Sequence, residues 1–246
     1  MYYIGIVVKD RLSCLRTLLK SIQPNIEYVR IVDASDEPLY NQVKDLLPGC
    51  KKYIHNSLKG YKAVNHNKNI LMHDFLRSSA DYLFLIEDDV KILDNEIFDN
   101  YIRISKKYNI PHMNAILKQD EKNCIIYSLK SEVDVCNRLY GYFSFFTRQV
   151  LEHSGMCSKE LNHNCWEHIE HTARIHRDFN YDPPFFAFPD IHNSWEQVRY
   201  MHGKKISSTH KDVIEKDRQK MFKMLGWKNY PLETTKRLKL DKFINN

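Results

Sequence analysis

The sequence predicts an α/β fold in which a mostly parallel central sheet is flanked by helices. Short runs of β-branched and aromatic residues alternate with segments whose apolar residues recur at helical spacing, which is typical of parallel sheets with crossover helices. The chain has 246 residues, 43% of them hydrophobic, and no Gly/Ser/Pro-rich linker divides it. We therefore expect one domain that covers residues 1–246 and buries a substantial core.

The first half of the chain has the clearest pattern. Tyr2–Val8 and Tyr82–Ile86 are predicted strands because each is an uncharged β-branched or aromatic run. Apolar residues from Leu12 to Ile22 recur at helical spacing until Pro24 stops the helix. The remaining elements are expected in order as a strand over 28–32, a helix over 40–47, a strand over 52–55, a loop over 56–62 and a helix over 65–79.

The second half is less regular. Ile97–Tyr108 is expected to be a helix, and the aromatic run Tyr140–Thr147 is expected to be a strand. Weaker patterns indicate strands over 114–118 and 124–129, helices over 165–176 and 213–225, and a Pro/Phe-rich loop over 178–189.

The composition indicates which ligands the protein could bind and in which cellular compartment it is expected. The formal net charge of +6 suits an anionic ligand or an acidic membrane surface, and the dispersal of the bases before the C-terminal tail argues against nucleic acid. The six cysteines have no framework spacing and are expected to be reduced, mostly buried thiols. No apolar run reaches the roughly 18 residues of a membrane helix, and the first residues lack the basic leader of a signal peptide. We therefore expect a cytoplasmic protein.

Three acids, Glu87, Asp88 and Asp89, directly follow the most apolar strand. Carboxylates clustered in this way repel one another unless a cation or hydrogen-bond donors compensate them, and ligands bind at the carboxyl ends of parallel strands. Mn²⁺ or Mg²⁺ is the expected cation, because hard divalent ions take oxygen ligands and bridge carboxylates to phosphates. An exposed acidic turn is the alternative interpretation.

The order of several motifs resembles the nucleotide-binding half of GT-A glycosyltransferases, closest to the bacterial family 2-like group. The motifs are Val32-Asp33-Ala34-Ser35, Gly60 with Asn67 downstream, and Leu85-Ile86-Glu87-Asp88-Asp89-Val90. The resemblance covers about the first 95 residues well and implies a GT-A type fold with a Rossmann-like sheet.

The resemblance also implies roles for these residues. Glu87-Asp88-Asp89 corresponds to the D-x-D motif that holds the metal and the sugar nucleotide, with Asp89 as the direct metal ligand and Asp88 on the ribose or sugar. Asp33 falls where the family recognises uracil. The stretch from Asn65 to Ile70 lies where the family reads Ala-Arg-Asn-x-Gly-Ile; it includes Asn67, while His66 and Asn69 depart from that pattern. Neutralisation of the leaving diphosphate is expected from the divalent cation, helped by lysines such as Lys62 or Lys68.

A second resemblance concerns the segment from Trp166 to Arg174, which is similar to the Glu-Asp-x-Asp/Glu segment beside the family's acceptor site. By register Glu167 matches the first acid, His168 replaces the usual Asp, and Glu170 matches the later acid. Either Glu167 or His168 can serve as the general base for the acceptor hydroxyl, and we favour Glu167. A helix whose charged residues face solvent is the alternative.

Other side chains are candidates for binding a metal. The resemblance implies that His192 completes the metal shell, although a hydrogen-bonded loop histidine is the alternative. The residues Cys157, His163, Cys165, His168 and His171 would also suffice for a structural zinc site, but they lack the paired-cysteine spacing of such sites.

The expected function is the transfer of a sugar from a UDP-sugar to a glycan hydroxyl, with a divalent cation and inversion at the anomeric carbon, in bacterial surface polysaccharide synthesis. The expected partners are a nucleotide-sugar donor and an oligosaccharide or lipid-linked glycan acceptor. Residues 1–95 would bind the donor, 96–210 the acceptor, and 211–246 would form a helix and a basic tail. That tail either contacts an anionic membrane at its inner face or is a plain solvated C-terminus.

Two other functions stay open at this point. A sugar-nucleotide nucleotidyltransferase would share the sheet and the acids, but the loop after the first strand, Val8–Ser13, lacks the glycines that such enzymes use. A non-catalytic glycan-binding subunit is the second alternative, and the replacement of the usual Asp by His168 favours it.

Overall fold

The fold was analysed in a computed structural model that describes residues 1–56, 62–116, 125–129, 132–136, 140–161, 166–179, 185–187, 195–198 and 208–226. The strands in these ranges are, in chain order, β1 Tyr2–Val8, β2 Val29–Asp33, β3 Lys52–His55, β4 Tyr82–Glu87, β5 Val90–Ile92, β6 His112–Ala115, β7 Ile125–Leu129, β8 Val133–Cys136, β9 Tyr140–Thr147, β10 Phe185–Ala187 and β11 Trp195–Gln197.

The α-helices of the same ranges are α1 Leu12–Ser21, α2 Tyr40–Val43, α3 Lys62–Leu76, α4 Ile97–Tyr108, α5 Arg148–Ser154, α6 Glu167–Asp178 and α7 Ser208–Leu225. Short 3₁₀ turns cover Gln23–Tyr28 and Lys44–Leu46. Among the described helices, none combines the length and the apolar character that crossing a lipid bilayer requires.

One sheet contains nine of the described strands, in the order β3-β2-β1-β4-β9-β6-β10-β8-β7. The four strands from the first part of the chain, β3, β2, β1 and β4, are all parallel. From β4 onwards the sheet is mixed, because β9 runs antiparallel to both β4 and β6 while β10 is parallel to β6. The strands β5 and β11 form a separate antiparallel ribbon.

The core lies on both faces of this sheet. On one face α1 and α4 bury Leu18 and Phe98 against the strands, and on the other face α3 and α5 bury Phe75 and Val150. Each such fully buried side chain contributes about 1.5–3 kcal/mol through removal of apolar surface from water. The predicted α/β architecture, a central sheet flanked by helices on both faces, is confirmed.

Several predicted elements agree with the structure to the residue, namely the strand over 52–55, the helix over 97–108 and the strand over 140–147. The helix predicted over 65–79 instead covers Lys62–Leu76. The prediction of a loop over 178–189 is wrong, because Phe185–Ala187 pairs with β6 and β8 as β10. The short elements β5, β8, α5 and β11 are not predicted by sequence, since three to seven residues carry too little periodicity.

Candidate active site

The first part of the candidate site lies at the carboxyl edge of the parallel strands. In the β1–β4 pairing Val7 is opposite Glu87, and in the β1–β2 pairing Val8 is opposite Asp33. The loop after β1, the end of β2 and the acids after β4 therefore all emerge at the same edge, where parallel sheets bind their ligands.

Asp88 and Asp89 form the turn between β4 and β5 and are buried, with 4% and 7% of their surface exposed. Arg11, in the loop after β1, donates from Nη1 to Asp88 Oδ1 at 3.1 Å and to Asp89 Oδ2 at 3.3 Å. Buried carboxylates need such a counter-charge. The alternative interpretation of an exposed acidic turn is therefore wrong.

Each of these two acids also has a carboxylate oxygen without a partner. Asp88 Oδ2 and Asp89 Oδ1 are buried and accept no hydrogen bond from the part of the chain that the structure describes. Burial raises the pKa of Asp88 to about 7, even though Arg11 lowers it. Orphaned carboxylate oxygens that favour added positive charge fit a hard divalent cation.

These two acids would not complete a metal shell alone. Within the described ranges no group of three His, Cys, Asp or Glu side chains converges on one point. A cation held here would take its other ligands from phosphate or water, as Mg²⁺ commonly does. His192, the predicted additional ligand, lies outside the described residues, and so does the side chain of Lys62.

The ribbon strand β11 reaches back to the same acid. Gln197 donates from Nε2 to Asp89 Oδ2 at 3.3 Å, and the backbone N–H of Val198 donates to the Asp89 carbonyl at 2.7 Å. The second half of the chain therefore helps to hold the side chain that the resemblance assigns to the metal.

Lys68 connects the donor-side acids with the predicted acceptor-side helix. From α3 its Nζ contacts Glu87 Oε1 at 3.2 Å and Glu167 Oε1 at 3.0 Å. Burial alone would lower the pKa of Lys68, but the two carboxylates raise it well above its ordinary value, so Lys68 is charged. Conversely, burial favours the neutral form of Glu167, but Lys68 holds the pKa of this carboxyl well below its usual range.

His168 lies beside this ion pair and is more accessible. Its side chain is 18% exposed whereas that of Glu167 is 1% exposed, and its Nδ1 lies 3.7 Å from Glu167 Oε1. Gly141 on β9 makes room for the ring, because a Cβ built there would lie 3.2 Å from His168 Cγ and Nδ1 and 3.5 Å from Glu87 Oε1. His168 and Glu87 thus lie against a position where β9 has no side chain.

Asp33 and Asn67, both predicted to bind the nucleotide, are connected by hydrogen bonds from Asn56. The Asp33 carboxylate is fully buried and accepts from the backbone N–H groups of Ser35 and Leu39 and from the Tyr53 hydroxyl. Its carbonyl accepts from Asn56 N–H, and the Asn56 side chain donates to Asn67 Oδ1 at 2.7 Å. Asn67 Nδ2 is buried without a partner among the described residues.

Glu170, the third predicted catalytic residue, forms an ion pair within the protein. It accepts two bonds from Arg174 one turn later on α6, at 2.7 and 3.2 Å, and Arg174 also donates to the carbonyls of Ser154 and Met156. This arrangement fixes the start of α6 against the end of α5, which places Glu167 and His168 beside Lys68.

The zinc interpretation has limited support. Cys157 Sγ lies 3.7 Å from His171 Nδ1, but His171 Nε2 donates to the Gly155 carbonyl, and no third ligand joins them within the described ranges. His163 and Cys165 lie outside those ranges.

Sequence reasoning missed three residues of this site: Arg11, Gly141 and Gln197. Arg11 could have been found, because a base directly after β1 must lie beside the acids after a neighbouring parallel strand. Gly141 and Gln197 come from β9 and β11, whose pairing partners no local pattern indicates.

Comparison with known proteins places the fold. No protein-family model and no curated protein sequence matches the chain. The mannosyltransferase PcManGT from Pyrobaculum calidifontis, solved with GDP-Man and Mn2+, aligns with a TM-score of 0.64 at 13% identity, over 99% of this chain and 67% of that one. S. aureus TarS 1-349 in complex with UDP-GlcNAc also gives 0.64 at 13% identity, over 90% of this chain and 67% of that one.

GalNAc-T7 with UDP, GalNAc and Mn2+ aligns with a TM-score of 0.60 at 12% identity, over 99% of this chain and 53% of that one. The chain thus spans about half to two thirds of the length of these solved structures. All three are glycosyltransferases of the GT-A fold, and this chain has that fold. The fold that the motifs resembled is confirmed.

Proposed function

We propose that this protein is a glycosyltransferase that moves a sugar from a nucleotide-sugar, preferably a UDP-sugar, to the hydroxyl of a glycan acceptor. The observation that carries this proposal is the buried pair Asp88 and Asp89, each with an unpartnered carboxylate oxygen, at the carboxyl edge of a GT-A sheet. Structures with the same fold hold Mn2+ together with GDP-Man or with UDP and a sugar.

A divalent cation, Mn²⁺ or Mg²⁺, fits this pair of acids. Asp88 Oδ2 and Asp89 Oδ1 would hold it, and when bound it would neutralise the diphosphate of the donor. The guanidinium of Arg11 already bridges the two carboxylates from the loop after β1 and compensates part of their charge. Gln197 keeps Asp89 oriented.

The acceptor is proposed to react beside Gly141, where Glu87, Glu167 and His168 meet. The acceptor hydroxyl would attack the anomeric carbon, the bond from that carbon to the diphosphate would break, and the hydroxyl proton would pass to a base. We assign this base to His168, because Glu167 is nearly inaccessible and its Oε1 binds Lys68. Glu167 then stabilises the protonated His168.

The finer features of the proposal rest on the family resemblance. These are inversion at the anomeric carbon, a bacterial surface polysaccharide as the product, and an oligosaccharide or lipid-linked glycan as the acceptor. The free thiols of Cys14, Cys50 and Cys157 support a cytoplasmic location. Contact of the basic tail with an anionic membrane is part of the same proposal.

The donor side is tested by thermal denaturation with UDP, with and without Mn²⁺. Binding to the folded state raises the apparent stability, and we expect UDP to do so only when the cation is present. Asp89→Asn should abolish this stabilisation, whereas Asp45→Asn, a control on an exposed acid far from the site, should retain it. Equal stabilisation by UDP without the cation would contradict the proposed role of Asp88 and Asp89.

The base is tested by steady-state kinetics with the UDP-sugar that stabilises the protein most. His168→Asn should lower kcat by about 10²- to 10⁴-fold while the KM for the donor changes little, which is the range for loss of a general base. Tight donor binding without turnover in the wild type would favour the glycan-binding subunit instead. Stabilisation by a nucleoside triphosphate together with a sugar phosphate would favour a nucleotidyltransferase.

A further inference from the structure

A cavity of about 490 Å³ lies on the outer side of α3, away from the carboxylates described above. It is formed between α3 and the connection from α5 to α6, and β3 contributes Lys52 at its edge. The lining residues from α3 and from the turn that follows it recur at one-turn spacing between Asn65 and Arg77. Lys68 and Phe75 point to the opposite side of the helix. Its volume is typical of small-molecule sites.

Two of the residues that line this cavity are buried amides, and each has an acceptor without a partner in the described ranges. Asn65 and Asn69 are 4% and 8% exposed. Each donates from Nδ2 to a backbone carbonyl of the connection, Asn69 to that of Cys157 and Asn65 to that of Leu161. The Oδ1 atom of each is buried with no partner among the described residues. A buried acceptor without a donor is destabilising, so a ligand that supplies a hydroxyl donor to it would be stabilised.

The rim of the cavity is basic. Arg77 and Lys159 stand exposed at the rim, and neither makes an ion pair within the described part of the chain, whereas Lys52 is paired with Asp74 at 2.6 Å. His66 and His73 add two further nitrogen donors or acceptors to the same rim. Such a rim attracts an anion, and Arg with Lys suits a phosphate in particular.

The wall is apolar, since Ile70, Met156 and Leu161 line it. Apolar walls with a few polar groups are the usual lining of small-molecule sites, and the carbon face of a sugar ring packs against such a wall. His66 and Asn69, two of the positions that depart from the family pattern in this stretch, both line this cavity.

We propose that this cavity is a second binding site, for a phosphorylated sugar. The sugar hydroxyls would donate to Asn65 Oδ1 and Asn69 Oδ1, the ring would pack on Ile70, and the phosphate would bind Arg77 and Lys159. The proposal is independent of the donor site, because none of the residues that line the cavity belongs to the carboxylate cluster or its partners.

Isothermal titration calorimetry with glucose 6-phosphate, inorganic phosphate and glucose tests the site. We expect the sugar phosphate to bind at least tenfold more tightly than either half alone. Arg77→Ala/Lys159→Ala should weaken that binding at least tenfold, while Lys20→Ala/Lys216→Ala, which removes the same charge from exposed positions elsewhere, should not. If inorganic phosphate binds as tightly as glucose 6-phosphate, the cavity does not recognise the sugar and is only a basic patch, which would overturn the proposal.

A variant of the donor site separates the two proposals. Glucose 6-phosphate should bind Asp89→Asn as tightly as wild type, and UDP with Mn²⁺ should not displace it. Displacement by UDP, or loss of binding in Asp89→Asn, would place the ligand at the donor site and overturn this inference. Failure of UDP to bind at all would contradict the proposed function and leave the result for the cavity unchanged.

Discussion

Lys68 is the residue on which the two halves of the candidate active site meet. It is almost fully buried on α3, yet it is charged and contacts Glu87 from β4 and Glu167 from α6. The net contribution of such a buried ion pair to stability is small, because desolvation offsets the attraction between the charges. Removal of one partner is a different matter, since the remaining charge stays buried without compensation.

We therefore predict that Lys68→Met lowers the free energy of unfolding by about 3 kcal/mol, because Glu167 is left without its counter-charge. Urea denaturation monitored by circular dichroism measures this change. The double variant Lys68→Met/Glu167→Gln should recover most of the loss, which a mere packing defect at position 68 would not allow. A single variant as stable as wild type would show that the pair is not buried.

Among the single elements, β9 is important for the candidate site because its residue Gly141 leaves space for the His168 ring. Gly141 lies against the ring of His168 and near Glu87, and a methyl group there would approach the ring to 3.2 Å. Contacts of this length force the neighbour to move by a few tenths of an ångström. Displacement of a reacting group by about 1 Å costs up to about 100-fold in rate, so this smaller shift should cost less.

Gly141→Ala is accordingly expected to lower kcat by about 3- to 10-fold, while the free energy of unfolding changes by less than about 1 kcal/mol. Steady-state kinetics together with urea denaturation separate these two effects. If the alanine acts through His168, then Gly141→Ala should cause no further loss of kcat in the His168→Asn background. Independent, multiplying losses would contradict this interpretation.

The packing of β6 against α6 depends on a buried histidine. His112 Nδ1 donates to the Phe145 carbonyl at 2.7 Å, and Nε2 lies 2.7 Å from the Thr172 hydroxyl and 3.1 Å from the Asn114 amide, from which it accepts. Burial lowers the pKa of His112 to about 4. The neutral ring is therefore part of the fold, and it holds the helix that carries Glu167 and His168.

This burial predicts a pH dependence of stability. Between about pH 6.5 and pH 4 the unfolded chain protonates His112 while the folded chain does not. The contribution of His112 to stability therefore decreases as the pH is lowered through this window, and it becomes constant below about pH 4. His112→Gln should be less stable than wild type at neutral pH, and the difference should shrink by about 3 kcal/mol towards pH 4. Urea denaturation at several pH values measures this; a constant difference would mean that His112 is not neutral in the fold.

At the scale of the whole molecule, the formal charge of +6 should attract an anionic donor from a distance. We predict that the association rate of UDP with the Mn²⁺-loaded protein falls at least tenfold when the ionic strength rises from about 10 mM to about 1 M, where the screening length shrinks to about 3 Å. Stopped-flow tryptophan fluorescence measures the rate. Uncharged uridine is the control, and an equal dependence for both would exclude electrostatic attraction.

Most of the parallel part of the sheet could be predicted from sequence, because long apolar runs such as Tyr2–Val8 and Tyr82–Ile86 have an unambiguous pattern. The placement of Asp33 and of the acids after β4 at one edge follows from that topology. The contact partners of the site residues could not be predicted. Lys68 contacts Glu167 only in the folded protein, because the two residues are 99 positions apart in sequence. Short strands such as β10 and β11 depend on pairing rather than on local preference.

The small ribbon of β5 and β11 makes Asp89, the acid that we propose to bind the cation, depend on a distant part of the chain. Gln197 and Val198 reach Asp89, while the preceding Glu196 points away and pairs with Lys91 at 2.8 Å. Because side chains alternate along a strand, a slip of one residue would exchange their directions and bring the Glu196 carboxylate towards Asp89. A single insertion or deletion next to β11 would therefore change the local charge by a full unit, and with it the ions that this edge of the sheet accepts.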